Sequence, residues 1–301
     1  MFKSSVDTKF KAYIKKRLSS LDDGVLEFDP QYRNISDTEV EQLVEILKDP
    51  TEFVAPVTEI VLSSHQLGDG AASALATLDI QTLDLSGNNI GPKGAESLAK
   101  NETLQTLILS SNPIEDDGAV ELSMNQNIHT LKVANCGITS TGGKALLSSA
   151  KLKDLDLSGN GITENDIPKL IPKRIKSLNL SNNFIGPEGA ERLAKSSSIE
   201  WLNLSDNDIG NKGAASFSEN KVLKELFLDG NNLDDGCANA LSNMSAGSER
   251  LGLAYNGFSK QAQALLFSES HKKKRKMIDL SNNGTEEIAS ERPNPGDLKF
   301  S

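Results

Sequence analysis

The chain is poor in the residues that build several common kinds of site. Only two cysteines, Cys136 and Cys237, occur among its 301 residues, so no disulfide framework is implied. Three histidines (His65, His129, His271) and two cysteines leave little material for a His/Cys metal centre, and no metal is expected. Aromatic residues make up 5% of the chain, with one tryptophan, Trp201. No apolar run approaches the ~20 residues needed to cross a bilayer. Residues 1–21 are charged throughout and lack the apolar core of a secretory signal. These absences point to a reducing, cytoplasmic setting and to no membrane role. Basic residues are outnumbered, 32 Lys and Arg against 42 Asp and Glu, for a formal charge of −10. That balance argues against a nucleic-acid partner, since such affinity comes mostly from Lys and Arg on phosphates.

What the chain does contain is one phrase repeated. Leu83-Asp84-Leu85-Ser86-Gly87-Asn88-Asn89-Ile90 reads Leu-x-Leu-x-x-Asn-x-Ile. Units of this kind start at residues 60, 83, 107, 131, 155, 178, 202, 226, 251 and 278, at spacings of 23 to 27. A degenerate unit begins at Leu26-Glu27-Phe28, with an insertion before Asn34-Ile35. The second half of a unit reads Gly-x-x-Gly-Ala-x-x-Leu-Ala, as at Gly91–Ala99 and Gly186–Ala194. The alternating Leu-x-Leu predicts a short strand, and the second phrase a short helix with Pro in its first turn. One strand and one helix per ~24 residues is a solenoid unit, which buries its apolar face only by stacking on neighbours. The period predicts a single elongated solenoid without a second domain.

In this pattern the chain resembles the leucine-rich repeat family, and its Gly-Ala helix phrase is similar to the ribonuclease-inhibitor-like subclass. The resemblance implies an α/β horseshoe solenoid with a parallel concave β-sheet and convex helices. It covers residues 25–290 as about ten to eleven repeats. It also implies a role for Asn88, Asn112, Asn160, Asn183, Asn207, Asn231, Asn256 and Asn283: in the family this side chain hydrogen-bonds the backbone of adjacent turns. Cys136 and His65 occupy the same position in their own units, and Cys136 is read as a ladder residue rather than a reactive thiol. Cys136 and Cys237 lie four units apart, too far for a disulfide at ~4.8 Å per strand.

The ends differ. Phe2, Val6, Phe10, Ile14 and Leu18 recur every four residues, which marks residues 1–24 as an N-terminal helical cap. The alternative is a membrane-surface helix, given Lys9, Lys11, Lys15, Lys16 and Arg17. Residues 291–301 read as a C-terminal tail. The run Lys272-Lys273-Lys274-Arg275-Lys276 reads as a solvated loop, the alternative being a nuclear localisation signal.

No catalytic residue is assigned. The histidines fall in different units, no nucleophile motif surrounds them, and no phosphate loop ending in Lys-Ser or Lys-Thr exists. The chain is read as non-enzymatic and without a cofactor. In a strand, the neighbours of inward leucines point the other way, so the outward residues can be read directly. They include seven acids and two bases, with Trp201 and Phe227 in successive units. Exposed aromatics amid acids have the composition of a protein-binding hot spot. The candidate site is therefore Trp201, Phe227, Tyr255, Asp154, Asp156, Glu225, Asp229 and Arg250. The expected function is inhibition or sequestration of a protein partner, such as an enzyme or another effector, by a chain that is monomeric when free. The rival is an adaptor for a ubiquitin ligase or other signalling complex, for which residues 1–58 offer room but no clear F-box. The near-uniform repeats are also similar to effectors that intracellular bacteria such as Legionella inject into the host cytosol, with Glu286-Glu287 and Leu298–Phe300 compatible with a secretion tail.

Overall fold

The computed structural model describes residues 8–19, 21, 23–28, 34–49, 56–244, 249–272 and 277–283. The chain forms two compact units, Met1–Ile138 and Thr139–Ser301. In the N-terminal unit, strands β1 (Val25–Glu27), β2 (Glu59–Val61), β3 (Thr82–Asp84), β4 (Thr106–Ile108) and β5 (Thr130–Lys132) pair in parallel in chain order. They alternate with helices α1 (Thr8–Ser19), α2 (Asp37–Lys48), α3 (Asp69–Leu75), α4 (Pro92–Ala99) and α5 (Glu115–Met124), α1 preceding β1. In the C-terminal unit, β6 (Asp154–Asp156), β7 (Ser177–Asn179), β8 (Trp201–Asn203), β9 (Glu225–Phe227), β10 (Arg250–Gly252) and β11 (Met277–Asp279) also pair in parallel in chain order. Its helices are α6 (Ser140–Leu147), α7 (Gly186–Ala194), α8 (Gly210–Ala215), α9 (Ala238–Ser242) and α10 (Lys260–Lys272). All eleven strands belong to one open sheet in chain order, and within each unit every connection is the rest of one repeat.

The strand rule of the sequence is met in most strands, the departures being the outward Gly252, which is buried, and the inward Ile278, which is partly exposed. Leu83, Leu107, Leu178, Leu202 and Leu226, each the middle of a strand, are fully buried, while the residues on either side are partly exposed. Each such leucine contributes roughly 1.5–3 kcal/mol. The helices add Ala95, Leu98, Ala190 and Leu193 to the core. Their Gly-Ala phrase has a steric cause. A Cβ on Gly118 would lie 2.9 Å from the Cβ of Ala95, and one on Gly213 3.0 Å from that of Ala190. Glycine thus lets one helix approach the next, and the small alanine receives it. Pro92 and Pro187 sit at the helix starts, where a missing N–H breaks no intrahelical bond.

At the N-terminus, α1 buries Phe10 and Ile14 completely. Tyr13 lies between Phe10 and Phe28, with ring centroids 6.5 and 6.3 Å away, and Arg17 donates to the carbonyl of Glu27. Phe2 and Val6 lie outside the described residues, as do Lys273, Lys274, Arg275, Lys276 and residues 284–301. Lys272 closes α10.

The unit that begins at Leu155 departs from the expected pattern. In place of an α-helix it has one 3₁₀ turn, Glu164–Asp166. Pro168 and Pro172 follow, and each removes a backbone donor that a helix would need. The turn is held by Asp166, whose side chain is fully buried. It accepts from Thr163 N–H (2.8 Å), Thr163 Oγ1 (2.8 Å), Ser140 Oγ (2.7 Å) and Lys144 Nζ (3.2 Å). Burial pushes this carboxyl up, but the hydrogen bonds outweigh burial and hold it below its ordinary range.

Asparagine amides join successive turns. Asn112, 1% exposed, accepts from Ile90 N–H at 2.9 Å and donates to the carbonyls of Leu85 (2.8 Å) and Leu109 (3.0 Å). Asn183, Asn207, Asn231 and Asn256 bond in the same way. Cys136 keeps the donor half, its Sγ donating to the carbonyls of Leu109 (3.2 Å) and Ala134 (3.4 Å). His65 keeps both halves. Nδ1 accepts from Ile35 N–H at 3.2 Å while Nε2 donates to the Phe28 carbonyl at 3.0 Å, an arrangement that requires the Nε2–H tautomer. A second ladder stands 13 residues after the first, at Asn101, Asn125 and Asn220. Asn125, for example, donates to the carbonyls of Ala99 and Asn101 and accepts from Asn127 and Ile128 N–H, all at 2.8 Å. Sequence reading missed this ladder, although the constant offset from the first was available as a signal.

Candidate functional site

Register places the predicted residues of the C-terminal unit on one sheet face. Asp154, Ser177, Trp201, Glu225, Arg250 and Met277 form one cross-strand row. Asp156, Asn179, Asn203, Phe227, Gly252 and Asp279 form the next. Trp201 and Phe227 are diagonal neighbours on β8 and β9, with ring centroids 5.5 Å apart and planes at 49°. Such a tilted pair is worth about 0.5–1.5 kcal/mol beyond the area it buries. The Phe227 ring lies close over Gly252, where a Cβ would stand 2.9 Å from Cδ1 of the ring and 2.9 Å from Oδ2 of Asp229. A side chain at 252 would push the ring out of place.

The ring pair is bordered by charge and by sulfur. Arg250 Nη1 lies 3.5 Å from Glu225 Oε2, and its Nη2 lies 3.5 Å from Sδ of Met277. Met277 is 47% exposed and stands two strands beyond Phe227, on the far side of Arg250; it adds an apolar group that the candidate site did not include. Its signal was its place in the outward row.

The acids of the site divide into two groups. Asp154 is exposed, and Glu225 faces out beside Arg250. Asp156 instead accepts from Ser158 N–H (2.9 Å) and Oγ (2.7 Å). Asn179 and Asn203 hold Ser181 and Ser205 in the same way, and Asp84 holds Ser86. The Asp-Leu-Ser phrase is thus largely a local turn device. Asp229 accepts from Ala254 N–H at 2.6 Å and from Ser205 Oγ at 3.3 Å. Burial pushes its carboxyl up against these bonds, and Asp279 and Asp206 add to the rise.

Tyr255, 51% exposed, stands where each chain segment leaves its strand. The same position is occupied by Gly87, Ser111, Asn135, Gly159, Asn182, Asp206, Gly230 and Asn282, all with positive φ. Small and polar residues fit that conformation; a bulky aromatic at φ 54° does not fit it easily. A tyrosine in this row puts an exposed aromatic just past the end of β10, the strand that follows that of Phe227. Both cysteines are buried free thiols, and burial followed by the nearby Asp234 carboxylate pushes Cys237 up to about 12. Among the described residues, no group of three or more His, Cys, Asp or Glu side chains is placed to hold a metal, and no helix is long and apolar enough to cross a membrane.

An open parallel row of short strands, with a polar ladder after each, defines a repeat solenoid. Six segments, residues 79–99, 100–123, 125–147, 148–166, 175–194 and 195–218, match the Leucine Rich repeat family. The repeats in these segments are leucine-rich repeats, a family that typically mediates protein–protein interaction. A comparison with curated proteins finds no match. Among solved structures, an internalin (inlF) from Listeria monocytogenes is similar at 14% identity and a TM-score of 0.44, over 84% of this chain and 90% of that one. A TLR13 chain, solved in complex with ssRNA13, is similar at 20% identity and a TM-score of 0.51, over 76% of this chain. The match spans 36% of that TLR13 chain. At these identities the likeness is one of fold.

Proposed function

We propose that the sheet face of the C-terminal unit binds a protein partner and covers that partner's own functional surface, as an inhibitor or sequestering protein does. The observation that carries this reading is the Trp201–Phe227 pair, two large rings in contact on the outward side of a mostly polar sheet. Rings of this kind, desolvated at the centre of an interface, supply most of its energy, and surrounding polar groups keep water out. Here the surround is Glu225 with Arg250, Asp154 and Met277. Asp154 and Glu225 would meet basic or donor groups of the partner. The Gly-Ala helix phrase supports the ribonuclease-inhibitor-like subclass, and the setting proposed is the cytoplasm, where two free buried thiols persist.

The test begins with capture by the full chain and by a Trp201→Ala/Phe227→Ala variant. A partner retained stoichiometrically by the first alone is then titrated calorimetrically. Loss of either ring should weaken binding at least ~30-fold while the chain still unfolds cooperatively, with stability lowered by no more than the roughly 0.5–1.5 kcal/mol of the ring contact plus the half-buried area of one ring, because neither ring belongs to the inward leucine set. Lys93→Ala and Glu188→Ala, on helices α4 and α7, should bind as wild type. A partner that is an enzyme should lose activity at one equivalent of the chain. Equal affinity for both ring variants and the wild type defeats the proposal.

A further inference from the structure

The unit that lost its helix carries a second surface. Leu170 is 83% exposed, the most exposed large hydrophobic side chain among the described residues, and it stands between Pro168 and Pro172. Lys169, Lys173 and Arg174 beside it are exposed. The next cations follow from register. Lys176 N–H donates to the Lys153 carbonyl at 2.8 Å, which sets Lys153 and Lys176 on adjacent chain segments, about 4.8 Å apart. Lys151 and Arg174 each stand two residues before them. Six cations against four acids, Asp154, Asp156, Glu164 and Asp166, fall within residues 151–176, a local excess of two positive charges in a chain whose formal charge is −10; of the acids, Asp156 and Asp166 are already engaged by Ser158, Thr163, Ser140 and Lys144.

We propose that this edge of the C-terminal unit binds an extended acidic peptide segment bearing an apolar side chain, with Leu170 meeting the apolar group and the cations meeting the carboxylates. The patch is narrow. Asp154 follows Lys153 onto the sheet face, and Glu200 closes the other side, 3.2 Å from Lys176. A membrane leaflet or a nucleic-acid duplex is a broad anionic surface and would bring its charge against these acids as well. A single extended chain can follow the cations alone. No Phe, Tyr or Trp occurs in residues 151–176, and the exposed ring of Phe184, whose backbone pairs with Thr163, is a single ring rather than the row of successive rings on which single-stranded nucleic acid stacks. Charge for solubility would account for the lysines and arginine, but it gives no reason to place a leucine 83% exposed between Lys169 and Lys173. The inference is independent of the ring pair, which belongs to another part of the same unit.

The experiment is fluorescence anisotropy with the full chain and two fluorescein-labelled peptides of equal negative charge, one alternating glutamate with leucine and one alternating glutamate with serine. Poly(U) and phosphatidylserine–phosphatidylcholine vesicles form the comparison arms. The leucine peptide should bind about fivefold tighter than the serine peptide, as one partly buried leucine allows. Lys153→Gln/Lys173→Gln/Arg174→Gln should weaken binding at least ~10-fold and flatten its salt dependence. Leu170→Ser should erase the preference for the leucine peptide, and Trp201→Ala/Phe227→Ala should leave peptide binding unchanged. Lys153, Leu170, Lys173 and Arg174 are exposed, so thermal melts of their variants should coincide with the wild type. Absence of peptide binding, equal binding by the triple-glutamine variant, or preferential binding of poly(U) or vesicles overturns the proposal.

Discussion

Replacing Asn112 tests whether the amide ladder is an energetic element or an ornament of the repeat. Its side chain makes three bonds of 2.8–3.0 Å to the Ile90 N–H and to the Leu85 and Leu109 carbonyls, at 1% exposure. Asn112→Ala leaves one buried donor and two buried acceptors with a partner removed. Each such orphan costs ~1–3 kcal/mol, and carbonyls with a second lone pair in use sit at the low end. The expected loss is about 3–4 kcal/mol. The protein contains its own milder version, since Cys136 holds the same position and its Sγ reaches the Leu109 carbonyl at 3.2 Å. Asn112→Cys should therefore retain a weak donor to Leu85 and cost about 1–2 kcal/mol. Urea unfolding followed by circular dichroism measures both, with hydrogen exchange at the Ile90 amide as the local readout. A 3 kcal/mol loss corresponds to roughly a hundredfold faster exchange if that amide opens with the unit. A loss below 1 kcal/mol for Asn112→Ala, or equal losses for the two variants, would show that the ladder does not carry the stability assigned to it.

Three further outcomes follow from the site and its surroundings. Cys237, pushed up to about 12 by burial and then by Asp234, should resist a thiol-directed disulfide reagent at pH 8 until urea unfolds the chain. Asp166→Asn should destabilise the fold at neutral pH by ~2 kcal/mol, because it weakens charge-assisted bonds to Thr163, Ser140 and Lys144. The native carboxyl lies below its ordinary 3.8, so its contribution is complete above that value. The gap between wild type and variant should close as pH falls through the native value, and a gap unchanged down to acid unfolding would contradict this. Asp229 has the opposite sign. Its carboxyl is raised, so ionisation weakens the folded state above the native value, and protonation relieves this as pH falls. Asp229→Asn should match or exceed the wild-type thermal midpoint at pH 7, and a clear drop there would show that the charge is needed for the bond to Ala254 N–H.

Much of the fold was legible because each repeat states its local rule in full. Alternation in Leu-x-Leu selects the buried residue of a three-residue strand. Gly-x-x-Gly-Ala selects a helix that can approach its neighbour, and the Asn that follows each strand has only one geometry in which its amide is satisfied. These are contacts within a period, and repetition makes them unmistakable. The same rule identified Trp201 and Phe227 as outward residues. What it could not state is which outward groups are already engaged, because that depends on partners one period away or around a turn. Asp156 is turned onto Ser158, Asp229 is turned onto the backbone of Ala254 and half withdrawn from water, and Met277 is drawn beside Arg250. The same limit applies to the unit at 155–177, where the repeat period predicted a helix after the strand. Pro168 and Pro172 cancelled it, and Asp166 rebuilt the turn with bonds to Ser140 and Lys144 on the preceding helix. Periodicity is written along the chain and so decides the core. The surface, and with it the binding chemistry, is decided across the chain, where hydrogen bonds and desolvation between neighbouring repeats determine which side chains remain available to a partner.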